Sequence, residues 1–173
     1  MQGNEVYWAA QILGGIAMLM GWWASAQQQD SRLLTGNLAA ACATALHLAL
    51  LGSPLGMATQ MLSALRFGLA RRGPSVRLAL IFALGAALQG LLLAQHWSEW
   101  CAVAAAMLSS LLLFTVQGER LRWGLLICSG LNLIFALSLG SLSGMLYHTV
   151  AIGLLSRQLI LELKRHFPAY TVQ

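Results

Sequence analysis

The chain has 173 residues, of which 58% are hydrophobic and only 9% charged, with a formal net charge of +5; a soluble domain carries about 25% charged residues, so lipid is the expected solvent. The ten Lys and Arg residues are spread over four short segments, which argues against a nucleic-acid surface. The five acidic residues never pair within an apolar run, and neither an HExxH nor a glycine-rich phosphate loop is present, so no enzyme and no cofactor are expected.

In chain order the apolar runs are Tyr7 to Ala26, Leu33 to Leu51, Leu55 to Ala70, Val76 to Ala94, Trp100 to Val116, Trp123 to Leu139 and Leu142 to Leu161. They approach or reach the roughly 20 residues that cross a bilayer. None alternates apolar with polar residues as a barrel strand must, so helices are the way to satisfy the backbone in lipid. The third run, which starts after Pro54 and holds Gln60 and Arg66, and the fourth, with Arg77 and Gln89, are the weaker spans, each with a re-entrant or interfacial element as its alternative. The expectation is an all-α transmembrane fold of seven helices in one membrane domain, residues 1–173. Although Ala24-Ser25-Ala26 resembles a signal-peptide cleavage site, the preceding segment has Glu5 and no basic residue, so the first run is expected to persist as a helix.

The basic residues alternate between connections. Arg32 follows the first run; Arg66, Arg71, Arg72 and Arg77 surround the connection after the third; Arg120 and Arg122 follow the fifth; Arg157, Lys164 and Arg165 come last. The other connections, Gly52-Ser53-Pro54, Gln95 to Glu99 and Gly140-Ser141, have no Lys or Arg. By the positive-inside rule this predicts a multi-pass protein of the bacterial inner membrane, N-terminus outside and C-terminus cytoplasmic. Cys42, Cys101 and Cys128 lie in separate runs without CxxC spacing, so neither a disulfide framework nor a metal site is expected.

Shifting the sequence by 88 residues, from Gly52 to Gly140, aligns Gly52-Ser53-Pro54-Leu55-Gly56-Met57 with Gly140-Ser141-Leu142-Ser143-Gly144-Met145, and also pairs Arg32-Leu33 with Arg120-Leu121, Gly36 with Gly124 and Ala17 with Ala105. This offset spans four helices, so the two copies enter the membrane in the same direction. It predicts a three-helix repeat (7–70), a linker helix (76–94), a second repeat (95–163) and a cytoplasmic tail (164–173).

With Tyr7-Trp8-Ala9-Ala10-Gln11 opening the first run, His47 shortly before the Gly52-Ser53-Pro54 turn, and the second turn Gly140-Ser141-Leu142-Ser143-Gly144, the chain resembles the bacterial inner-membrane YgjV family over nearly its whole length. The layout is similar to that of SWEET and PQ-loop transporters, and that resemblance implies movement of a sugar or other small metabolite. The Pro-Gln pair of the PQ-loop group is absent: Gln11 has no proline beside it.

Polar residues within the runs are costly in lipid and so mark candidate sites. In the second run Thr44 and His47 share a helical face. Asn132 is the repeat partner of Thr44, and Gln60 that of His148, with Tyr147 adjacent. The candidate substrate-binding set is therefore His47, Asn132, Gln60, His148, Tyr147 and Thr44, expected across a seam between the repeats. The same residues also serve as packing glue in membrane bundles. The expected partners are the lipid bilayer, a small-molecule solute and a second copy of the chain, the last belonging to the alternative of a non-transporting scaffold or partner subunit.

Overall fold

The computed structural model describes residues 2–52, 54–94, 96–138, 140 and 142–166. Ser53 and Ser141 of the two turns, Leu139 at the end of the sixth run and the tail from 167 onward lie outside the described residues. Among those described there are seven α-helices and no strand: α1 (Gln2–Ser25), α2 (Asp30–Leu50), α3 (Pro54–Ala70), α4 (Val76–Leu93), α5 (Glu99–Thr115), α6 (Glu119–Ser138) and α7 (Leu142–His166). Two of them, Asp30–Leu50 and Glu119–Ser138, are long and apolar enough to cross a membrane on length and composition; Val76–Leu92 and Glu99–Thr115 are apolar but shorter.

Most helix limits fall within a few residues of the apolar runs, and the larger departures have a common cause. Polar residues continue helices as readily as apolar ones, so α6 starts at Glu119 rather than Trp123, and α7 runs on to His166. Arg32, Arg120, Arg122 and Lys164 are consequently helical residues, not loop residues. Gly52 and Gly140, with φ of 73° and 64°, take the left-handed conformation that glycine adopts without a Cβ penalty, ending the turns that follow α2 and α6.

The helices group into two compact units, Met1–Pro74 and Ser75–Gln173. In the first, α1 packs on α2 and α2 on α3. The α1 face is written by a seven-residue spacing, with Ala10, Ala17 and Ala24 at 0, 5 and 0% exposure. Leu33 and Ala40 form the same spacing on α2, and such small residues at heptad intervals let two helix backbones run close and nearly antiparallel. At one end the approach is at its limit: a Cβ on Gly36 would lie 2.7 Å from the Cβ of Ala24.

In the second unit α4, α5, α6 and α7 each pack on the next. The α4 to α5 contact is fixed at one end by the Ser75 amide donating to the Phe114 carbonyl at 2.9 Å and by stacking of Phe82 on Phe114. At the other end Gly90 admits the side chain of Val103. Between α5 and α6, Ala105 and Cys128 are buried together, the thiol 3.5 Å from the Ala105 carbonyl, and a Cβ on Gly124 would overlap Leu112. The α7 contribution is the stripe Ala151, Leu155, Gln158 and Leu159, all buried at helical spacing.

Candidate functional site

Of the six residues singled out in the sequence, Thr44, His47 and Gln60 fall in the first unit and Asn132, Tyr147 and His148 in the second. His47 is half-buried on α2, its Nδ1 2.6 Å from the carbonyl oxygen of Ala10 on α1. A carbonyl can only accept, so Nδ1 is the donor of this contact. Gly14 makes the approach feasible, since a Cβ there would stand 3.0 Å from Nδ1 and Cε1. His47 thus occupies the next seven-residue position after Leu33 and Ala40 and fastens the α1–α2 pair where the alanine seam ends. Gln60 is half-buried on α3.

Thr44 and Asn132 bond within their own helices. Thr44 donates from Oγ1 to the Ala40 carbonyl at 2.8 Å, and Asn132 from Nδ2 to the Cys128 carbonyl at 2.9 Å. Ser25, Thr35, Asn37, Ser110 and Thr115 do the same, each to the carbonyl four residues earlier. This back-bonding hides the donor from lipid without a second helix. Tyr147 and His148 are half-buried neighbours on α7, their rings edge-to-face at 5.0 Å, and His148 Nδ1 is buried without a hydrogen-bond partner among the described residues.

The most deeply buried charged side chain among the described residues is one that the sequence pattern did not single out. Arg122, in the first turn of α6, is 1% exposed, and its guanidinium lies 3.4 Å from Glu162 of α7, itself 17% exposed. Gln158, one turn before Glu162, is also buried. On the apolar-run reading both charges belonged to a connection or a span end. The signal was present all the same: Arg122 sits between Leu121 and Gly124, the repeat partners of buried Leu33 and Gly36, and Glu162 is the only carboxylate after Glu119. Among the described residues, no group of three or more His, Cys, Asp or Glu is placed to hold a metal ion.

A family model described as a bacterial inner membrane protein, Imp-YgjV, matches residues 8–163, a stretch that takes in all six candidates together with Arg122 and Glu162. The chain belongs to this family of bacterial inner membrane proteins. No curated protein and no solved structure matches it. Inner-membrane YgjV membership accounts for a surface that would be unacceptable in water, where large contiguous apolar patches are rare. Ile12, Leu80, Ile81, Leu84, Leu88, Leu91 and Leu92 are each half or more exposed, most of them on α4.

Proposed function

We propose that this YgjV-family chain crosses the inner membrane seven times, N-terminus outside and C-terminus cytoplasmic, and is a SWEET-like permease for a sugar or other small metabolite built on two parallel three-helix repeats. The observation that carries this reading is the recurrence of one packing scheme at the 88-residue offset. Gly36 abuts Ala24 in the first unit and Gly124 abuts Leu112 in the second, each pair being 88 residues from the other. Ala17 and Ala40 are buried, as are their partners Ala105 and Cys128. Thr44 and Asn132 make the same bond to their own helices, and Gly52 and Gly140 share the left-handed conformation. Two helix pairs with equivalent contacts, run in the same chain order, are the raw material of a parallel-repeat transporter.

The polar groups available to a hydroxyl-rich solute are the His47 ring and Gln60 on the first unit, and the Asn132 carboxamide oxygen and the Tyr147–His148 pair on the second. The test is thermal unfolding of the purified protein against a metabolite panel, for wild type and for His47→Ala with Asn132→Ala. A ligand at 100 times its Kd stabilises the fold by about 2.7 kcal/mol, a resolvable rise in melting temperature. A hit that the double variant abolishes supports the permease. Proteoliposomes that move no sugar, amino acid or organic acid beside a working control transporter refute it.

The second reading, a non-transporting scaffold or partner subunit, is favoured by one observation: His47 Nδ1 is committed to the Ala10 carbonyl, and the Thr44 and Asn132 donors to their own helices. It requires a stoichiometric partner or a stable homodimer on purification in mild detergent. A clean monomer argues against it.

A further inference from the structure

We propose that the end of the second unit formed by the start of α4, the turn from α5 to α6 and the end of α7 binds the anionic headgroups of membrane phospholipids. These segments meet at one end of the unit: the Ser75 amide reaches the Phe114 carbonyl, Gly124 abuts Leu112, and Arg122 meets Glu162. The charges there are sorted by sign. Arg77, Arg120, Arg157 and Lys164 are exposed. Both described carboxylates at this end are engaged by the protein itself, Glu162 by buried Arg122 and Glu119 by the indole of Trp123 at 3.3 Å. The outward face is therefore predominantly cationic: Glu162 is matched by Arg122, and Glu119, bonded to the exposed Trp123 indole, is the remaining described carboxylate at this end.

What surrounds the cations selects a lipid over other polyanions. Leu80 and Ile81 follow Arg77 within about one turn of α4, Trp123 and Ile127 follow Arg120 on α6, and Ile160 and Leu163 precede Lys164 on α7, all of them 43% exposed or more. A ligand that satisfies both surfaces has an anionic head joined to apolar chains, and the exposed Trp123 marks the boundary at which such aromatics settle. The proposal rests on the inner-membrane topology given above, in which this end faces the cytoplasmic leaflet. Each Lys or Arg near an anionic leaflet contributes enough to change affinity by on the order of 5-fold.

The experiment reconstitutes the full chain in zwitterionic nanodiscs doped with phosphatidylglycerol or cardiolipin and measures retained lipid by native mass spectrometry and lipid affinity by titration. Arg77→Gln, Arg120→Gln and Lys164→Gln combined should weaken anionic-lipid binding on the order of 100-fold. A matched loss of charge from the first unit, Arg32→Gln, Arg71→Gln and Arg72→Gln, removes only general attraction to the leaflet and should weaken binding clearly less. Equal weakening by the two sets, equal affinity for zwitterionic lipid, or the same stabilisation by inorganic phosphate alone overturns the proposal. A C-terminal alkaline phosphatase reporter tests orientation separately, so lipid selectivity that persists with the reporter outside the cell would refute the topology and leave the lipid surface standing.

Discussion

Substituting Glu162 with Gln removes the carboxylate facing a guanidinium that is 1% exposed. At 3.4 Å, with an effective dielectric constant of about 20, the attraction between unit charges is about 5 kcal/mol, which sets the scale of what holds Arg122 inside the unit. Desolvation opposes that attraction, so the net value of the pair is far smaller, but removing one member leaves the other's desolvation uncompensated. Glu162→Gln is expected to cost about 3 kcal/mol. Arg122→Leu should cost less, about 1 to 2 kcal/mol, because Glu162 retains 17% exposure and can turn outward. Combining Glu162→Gln with Arg122→Leu should cost no more than Glu162→Gln alone, which gives a coupling energy of about 1 to 2 kcal/mol in a double-mutant cycle. Reversible unfolding in mixed micelles, read by tryptophan fluorescence, measures all four proteins. Strictly additive single effects would show that the pair is not a unit and would refute the argument.

Close helix approach makes a paired prediction at two glycines of α1 and α2. Gly36→Ala should destabilise by about 1 to 3 kcal/mol, because the obstructing atom is the Cβ of Ala24, which cannot rotate away. Gly15→Ala, where nothing lies within 4 Å, should be neutral or stabilising by up to about 1 kcal/mol through helix propensity; thermal melts of the two variants decide it. His47→Ala should cost about 1 to 2 kcal/mol through the lost bond to Ala10 and the space left beside Gly14, with no further loss when Gly14 is filled as Gly14→Ala in the same chain. With the native cysteines replaced, single cysteines at Gln29 and Gln117 should react with an impermeant maleimide only after cells are opened, and one at His96 should react in intact cells with a permeabilised outer membrane. The reverse pattern would invert the proposed orientation.

The helices were legible because lipid imposes a simple rule: long apolar runs have little choice but to be helical. The 3.6-residue pattern was less readable, since a helix exposed to lipid is apolar on its outer face as well as its inner one. Burial therefore followed residue size more than polarity, as Ala10, Ala17 and Ala24 demonstrate beside exposed Ile12 and Leu19. The candidate site was only partly legible. His47, Thr44 and Asn132 stood out as polar residues in apolar runs, but their bonding partners are backbone carbonyls, which a scan for side-chain chemistry does not register. Arg122 was missed for the opposite reason: its neighbours in sequence, Arg120 and Trp123, are exposed and made it look like one more residue of a basic connection.

Back-bonding has a consequence for how the protein is made. On the seven-span reading proposed above, helices whose Ser, Thr and Asn donors bond to their own carbonyls are expected to leave the insertion machinery one at a time, because that bond forms before any neighbour exists. Helix α6 does not share that freedom. Its arginine is synthesised before the carboxylate that pairs with it, which arrives only with α7. The last two helices are accordingly expected to wait for each other and to be released as a hairpin, so truncation before Glu162 should strand α6 at the membrane surface while leaving the earlier helices in place.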